Sequence, residues 1–417
     1  MSNLLDKSSI VLTPTAYDNS KVLCVKPSDG SGDFDFSRNS AATRVNAQGL
    51  VENVQILSSN LVQNGSFSEE GAEEVSNGSF SQEGSELIVN GDFLVSTGWQ
   101  GLNADRVISN GKLNISQASG FGVVYQPETL TVGTYYKCVV EVSNYVDGSF
   151  QIGLAGSDAA NTSPIINSDG TFTFYLQRVS GGSNNIGFVF NGLANLSINN
   201  VSVREVGQNW TLGTGWSIGE DKAISDGTTS NLDQFSTSII GKSYKVSITV
   251  NDINSGALSV RLGSTSGSEV INITSNGTYT AYGVAETTYL RLRSQSGFDG
   301  SVTNISVKEV GQNWVFTNVG GSNGWRIANE RAICDTDGVN NGRNLNSSTT
   351  LVNGKTYKLT LDILQSVDGM NVLVGSTILP NELPTGTNLG YEYYIDASQH
   401  SGGLFSLFGG SSDLQEV

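Results

Sequence analysis

The chain has 417 residues, of which 22 are Lys or Arg and 39 are Asp or Glu, giving a net charge of −17. Gly accounts for 50 of them, about 12% against an average near 7%, and only 15% are charged. Helical bundles built from Ala, Glu, Lys and Leu are excluded, no apolar run approaches the ~18 residues of a membrane span, and the acidic balance opposes nucleic acid without opposing neutral sugars.

Residues 1–60 contain two short apolar runs, Ser9-Ile10-Val11-Leu12-Thr13-Pro14 and Val22-Leu23-Cys24-Val25, both expected as strands. The opening Met1–Lys7 lacks the basic patch and long apolar stretch of a signal peptide, which points to synthesis in a reducing cytoplasm. A segment this small cannot build a robust core of its own, so docking onto something larger is expected. Residues 61–86 begin a repeat with a period of thirteen. Its landmarks are Asn64-Gly65-Ser66-Phe67, Asn77-Gly78-Ser79-Phe80 and Asn90-Gly91-Asp92-Phe93, with Val62, Val75 and Ile88 each two before the Asn. Each unit carries too few apolar atoms to offset about 1–2 kcal/mol of backbone entropy per residue. These units therefore form a neck that packs on neighbours or other chains, or they are an acidic linker, given Glu69, Glu70, Glu73, Glu74, Glu83 and Glu86.

Beyond them the chain repeats on a longer period. Val203-Arg204-Glu205-Val206-Gly207-Gln208-Asn209-Trp210 returns downstream as Val307-Lys308-Glu309-Val310-Gly311-Gln312-Asn313-Trp314. Gly-x-x-Tyr-Lys precedes an apolar strand at Gly133, Gly241 and Gly354, and the strands after Tyr244 and Tyr357 alternate strictly, as a strand with one buried face does. Gly-Trp pairs at Trp99, Trp216 and Trp325 supply a third landmark. With turn dipeptides such as Asn110-Gly111, Asp169-Gly170 and Asn353-Gly354 between short runs, the expected fold is all-β: tandem antiparallel, jelly-roll-like β-sandwiches over 87–206, 207–310 and 311–417. The third module stops short by this alignment. Val417 stands almost as far beyond Tyr357 as Ile305 stands beyond Tyr244, yet a closing Ser-Val-Lys-Glu-Val still follows Ile305. A natural chain continuing beyond Val417 is the expectation.

The run from Pro27-Ser28-Asp29-Gly30 through Phe36-Ser37-Arg38 to Ala42-Thr43-Arg44-Val45-Asn46 and Gly49-Leu50-Val51-Glu52 resembles the virion-proximal start of fibre- and tail-type structural proteins of tailed bacteriophages, crAss-like and other Bacteroidetes-infecting phages among them. The Asn-Gly-Ser/Asp-Phe units are similar to those that follow it, so the resemblance runs from the N-terminus to about Val95. Leu87–Phe93 with Gly98-Trp99 is similar to the opening of carbohydrate-binding jelly rolls of the four/nine type, although Leu94 stands where an acidic residue usually follows, which removes support for a family-like calcium site. The resemblance implies a homotrimer on the virion surface, docked to capsid or tail proteins through residues 1–60, with Phe34, Phe36, Arg38, Arg44 and Val45 as docking residues. Lysis would release such a protein without a signal peptide.

The chemistry available is narrow. Cys24, Cys138 and Cys334 lie far apart in the chain, without paired spacing for a disulfide framework or thiolate metal site. The one histidine, His400, excludes mechanisms that need two. No catalytic residue, metal site or cofactor is expected, and a binding or structural role is. The tryptophans read as core landmarks. Aromatics outside the shared pattern, Tyr145, Phe150, Tyr175, Tyr282, Tyr289, Tyr391, Tyr393 and Tyr394, are the candidate sugar platforms, with Tyr391-Glu392-Tyr393-Tyr394 the densest cluster. Arg291 and Arg293 alternate with Leu290 and Leu292 and so share one sheet face, fit for an acidic sugar or a partner carboxylate if not simply solvated. The expected function is a virion fibre or decoration protein that attaches to host-surface glycan. The alternatives are a polysaccharide-cleaving tailspike or a spacer without ligand.

Overall fold

The computed structural model describes residues 58–416 apart from 103, 156–158, 265, 318–323, 336–342, 368–369, 380–381, 397–402 and 410–414; within 1–57 it describes the backbone of five strands, Pro14–Asp18, Lys21–Cys24, Phe34–Asp35, Ala42–Val45 and Val51–Val54. The chain divides into two compact units, Met1–Leu61 and Val62–Val417. In the first, Pro14–Asp18, Lys21–Cys24 and Phe34–Asp35 form an antiparallel sheet, and Ala42–Val45 pairs with Val51–Val54. The side chains of Phe34, Phe36, Arg38, Arg44 and Val45 lie outside the described residues.

The second unit is all-β with three hydrophobic cores. Around the first, the strands Gly170–Gln177, Tyr135–Gly148, Ala194–Val206, Lys112–Gln117 and Arg106–Ser109 make one antiparallel sheet. It is faced by Gln151–Gly153, Asn185–Asn191, Phe121–Pro127 and Gln100–Leu102. Alternation puts Cys138, Val140 and Val142 inward from the first sheet and Ile186, Phe188 and Phe190 inward from the second, which is the β-sandwich arrangement. In the second sandwich two long strands, Ser243–Arg261 and Tyr289–Val310, pair along both layers. Their register breaks between Asn251 and Ser255 and again before Ala257; bulges of this kind let a strand turn the corner from one layer to the other. The third sandwich pairs Trp314–Thr317, Arg343–Leu351, Gly403–Gly409, Met370–Val374 and Thr377–Ile378, with shorter sheets of Gly324–Ala328, Arg331–Asp335 and Gln415–Glu416 and of Thr356–Ile363 with Asn388–Asp396. Tyr135 and Tyr175 pack against the second core and Tyr282 against the third, so Tyr175 and Tyr282, two of the candidate platforms, are half-buried residues that bridge successive sandwiches.

The short repeats pack on neighbouring parts of the chain, as one of the two expectations had it, and are not a loose acidic linker. They form a strap that visits the sandwiches in the reverse of chain order. Glu70–Glu73 pairs antiparallel with the end of Tyr289–Val310, and Glu83–Glu86 with the end of Ala194–Val206. The ladder continues with Glu74 N donating to Val307 O (2.9 Å), Ile305 N to Gly78 O (3.0 Å), Leu87 N to Val203 O (3.0 Å) and Val201 N to Gly91 O (3.0 Å). Each Asn-Gly-x-Phe is a turn closed by the Phe N–H on the Asn carbonyl. A tryptophan grips each turn: Trp314, Trp210 and Trp99 donate their indole N–H to the carbonyls of Asn64, Asn77 and Asn90 at 3.1, 3.1 and 3.0 Å. The rings of Phe67, Phe80 and Phe93 lie 5.2, 5.1 and 5.4 Å from the same tryptophans. The first repeat thus joins the third core, the second repeat the second, and the third repeat the first.

This arrangement corrects the correspondence read from the Gly-Trp pairs. The residues sharing one structural position are Trp99, Trp210 and Trp314, because the phenylalanine partner of the last two comes from the strap, far upstream in the chain. Trp216 and Trp325 are core residues of another kind, and all five tryptophans are buried. The turns hold Asn64, Asn77 and Asn90 at φ 47–56° and the three phenylalanines at φ 54–57°, a left-handed region tolerable for Asn but costly for Phe. Packing against tryptophan keeps them there. A Cβ on Gly78 would sit 1.9 Å from Ile305 O, so only glycine allows this approach.

The acidic residues that suggested a linker are the strap's fastenings. Glu70 is held by Lys245 (2.6 Å) and Lys308 (3.0 Å), and Glu83 by Lys137 (2.6 Å) and Arg204 (3.5 Å). Lys137 and Lys245 are the lysines of the Gly-x-x-Tyr-Lys landmark. Glu73 accepts from Val307 N and Ser306 Oγ, and Glu86 from Val203 N, Ser202 Oγ and Arg204 Nε. The hydrogen bonds from Lys245 and Lys308 pull the Glu70 carboxyl below its ordinary value. Burial alone would raise Glu86, but the donors from Ser202, Val203, Ile88 and Arg204 outweigh it and leave that carboxyl lowered too.

Two outcomes follow. Phe80 is 1% exposed, so Phe80→Ala should lower the unfolding free energy by about 3–5 kcal/mol, read from urea midpoints, whereas Ser81→Ala should stay within about 0.5 kcal/mol. Depressed carboxyls stabilise the fold above the ordinary glutamate value of about 4.3 and lose that contribution as pH falls through their folded values. The combined Glu70→Gln, Glu86→Gln variant should therefore be less stable than the parent at pH 7, with the gap narrowing steadily below pH 4.

Candidate functional site

The sheet alternation that places Leu232, Leu290, Leu292, Leu258 and Val260 in the second core turns their neighbours to the outer face of the same sheet. There, strand Asn231–Phe235 lies beside Tyr289–Val310 with Phe235 opposite Tyr289, Asp233 opposite Arg291 and Asn231 opposite Arg293. On the other flank, Arg261 lies opposite Arg291 and Ser259 opposite Arg293, with Glu269 opposite Arg261 on the next strand. Three arginines and two carboxylates meet on one face of a chain whose overall charge is strongly negative.

Their states differ. Arg291 is engaged: its Nε and one terminal nitrogen each lie 2.8 Å from the two Asp233 oxygens, a bidentate pair, and its guanidinium sits 5.1 Å from the Tyr289 ring centroid. Arg261 is buried, donates to Ser259 Oγ at 2.8 Å and reaches Glu269 only at 3.8 Å. Ser259 also donates to Glu269. Arg293 is half-buried, and its guanidinium has neither an ion pair nor a hydrogen bond among the described residues. It lines, with Thr229, Arg261, Gln295 and Ser296, an open depression of about 430 Å³. Across from it, Asn231 Oδ1 is buried without a donor. At the other end of the face, the rings of Phe235 and Tyr289 lie 5.5 Å apart, and Phe235 is 57% exposed.

The arginine pair singled out in the sequence therefore shares a face, but only Arg293 is uncommitted. Asp233, Arg261 and Phe235 complete the site and were missed. Asp233 and Phe235 alternate with the core residue Leu232, a signal only once the pairing strand is known, and Arg261 closes a strand whose outward face cannot be told from its sequence across the bulges. The tyrosine cluster is split by strand alternation. Tyr393 is 7% exposed in the third core and Tyr391 packs against it, while Tyr394, at 50%, points outward with Glu392. Glu392 is held by Lys358 at 2.5 Å and accepts from Tyr394 Oη at 3.3 Å. Phe150 is a core residue of the first sandwich and Tyr145 packs against it. His400 lies outside the described residues. Among the described residues no three His, Cys, Asp or Glu side chains group as a metal site, and no helix is long and apolar enough to cross a membrane. Burial raises the Cys138 thiol well above its ordinary value, which suits a small core residue.

No protein-family model and no curated protein matches the sequence. Solved structures similar to it include a fucolectin from striped bass serum (10% identity, 48% of this chain and 86% of that one, TM-score 0.19) and the tandem CBM22-1–CBM22-2 domains of Paenibacillus barcinonensis Xyn10C (9%, 54% and 98%, TM-score 0.22). A triple-jelly-roll turret protein of an archaeal virus is also similar (11%, 77% and 87%, TM-score 0.18). Superposition at this level carries no functional argument, and the all-β sandwich fold rests on the sheets themselves.

Truncating Tyr393 to Ala should cost about 3 kcal/mol or more of stability, while Tyr394→Ala should stay within about 0.5 kcal/mol. Thermal or urea unfolding of the two variants reads the difference.

Proposed function

We propose that this chain is a structural protein of a bacteriophage particle, a fibre or decoration that is carried by its N-terminal unit and presents its sandwiches to host-surface glycan without cleaving it. The observation that carries this reading is the strap. Here the strap and two sets of duplicated sequence are devoted to fastening three sandwiches to one another. Fastening of that kind serves a protein that must hold its modules in fixed relation outside a cell. The chain enters the second unit at the third core, so the first sandwich is the one reached last along the strap. The phage-like run over residues 27–52 supports attachment through the first unit, and weak glycan contacts repeated over modules and over the copies of a trimer would add through avidity.

Particles assembled with a chain lacking residues 1–60 should carry none of it, and the purified full chain should sediment as a trimer. Normal incorporation of the shortened chain would overturn the docking role. New reducing ends released from host capsular polysaccharide or lipopolysaccharide by the purified protein would overturn the non-enzymatic reading.

A further inference from the structure

We infer that the outer face of the second sandwich binds a carboxylate-bearing oligosaccharide, with the acid on Arg293 and a neighbouring sugar ring against Phe235 and Tyr289. The inference deepens the glycan-facing reading above and rests on it.

Charge sets the ligand's valence. Arg261, Arg291 and Arg293 contribute three positive charges, and Asp233 and Glu269 contribute two negative ones. Asp233 satisfies Arg291 through both oxygens, and Glu269 lies near Arg261, leaving one guanidinium, that of Arg293, without a counter-ion among the described residues. A monoanion matches one spare charge, and a dianion would face the field of a chain at −17. Geometry sets the group. A guanidinium offers two parallel N–H donors, which fit the two oxygens of a carboxylate, and the Arg291–Asp233 pair on the same face already makes this contact.

The remaining lining argues for a sugar over a bare anion. Thr229, Gln295 and Ser296 surround the depression with neutral hydrogen-bonding groups. Sugar hydroxyls both donate and accept; sulfate only accepts. Tyr289 and Arg293 are four positions apart on one strand, about 14 Å at roughly 3.4 Å per residue, a span suited to an oligosaccharide and too long for a single ring. The exposed Phe235–Tyr289 pair gives that second ring an apolar surface.

The test titrates the full chain by calorimetry with two monoanionic oligosaccharides, aldotriouronic acid (one glucuronate on a neutral disaccharide) and sialyllactose, using the methyl ester of aldotriouronic acid as the neutral counterpart and sodium sulfate as competitor. At least one acidic probe should bind. The ester should bind at least tenfold more weakly than its acid, and Arg293→Gln should weaken acidic-probe binding about tenfold. Phe235→Ala, an exposed position that leaves the core untouched, should weaken it severalfold and keeps the test decisive if Arg293→Gln does not fold. Failure of both acidic probes, equal affinity for acid and ester, full displacement by equimolar sulfate, or unchanged binding in Phe235→Ala would each overturn the inference. Particle incorporation is independent of this face, so its result stands or falls separately.

Discussion

Phe67, Phe80 and Phe93 sit in the left-handed region of backbone space, each pressed on a tryptophan that also holds the preceding turn by its indole N–H. The rest of the second unit depends on this clasp. A strap repeat with one valine or isoleucine and one phenylalanine has no means of ordering itself. Laid along the last strand of a sandwich, it gains a ladder of backbone hydrogen bonds, a buried ring and a carboxylate that caps two backbone N–H groups. The sandwich gains as well, since the end of its last strand would otherwise be an unpaired edge.

Two duplications explain each other in this light. Val-Arg/Lys-Glu-Val-Gly-Gln-Asn-Trp occurs at two junctions because two strap repeats need a receptor, and the strap's glutamates recur because each receptor brings a lysine from Gly-x-x-Tyr-Lys to meet them. A Cβ on Gly71 would stand 2.8 Å from Gln312 Nε2 and one on Gly84 3.1 Å from Gln208 Nε2, so the repeat's glycines lie close against the receptor. The same economy governs the spaces between sandwiches, where Tyr175 and Tyr282, one position repeated, each fill the seam with the next core.

The all-β class was legible because strict alternation after Tyr244 and Tyr357 is a local signal, and both repeat families were visible as repeats. Their relation was not. Glu70–Glu73 and Glu83–Glu86 have no alternating apolar residues, since an edge strand fastened by backbone bonds and ion pairs needs none. Their partners are also remote in the chain, with Glu73 meeting Lys308 and Glu86 meeting Arg204. The tryptophans were matched by the glycine before them, while the structural equivalence follows the phenylalanine each one meets. Arg291 and Arg293 were legible as sharing a face. That Asp233 neutralises one and leaves the other open depends on cross-strand register, which the sequence does not state. Tyr391, Tyr393 and Tyr394 read as one cluster only while strand direction is ignored, because neighbours along a strand face opposite ways.

The reverse order of the strap is the claim on which the account stands, and cross-linking tests it most directly. Paired ladder residues lie within the Cα separation of about 4.4–6.8 Å that a disulfide spans. In a chain whose native cysteines are replaced, Glu73→Cys should therefore form an intrachain disulfide with Lys308→Cys, and Glu86→Cys with Arg204→Cys, under mild oxidation at high dilution. Glu73→Cys combined with Arg204→Cys should remain reduced. Efficient closure of that last pair, with failure of the first two, would mean that the strap runs in the order of the chain and would contradict the account.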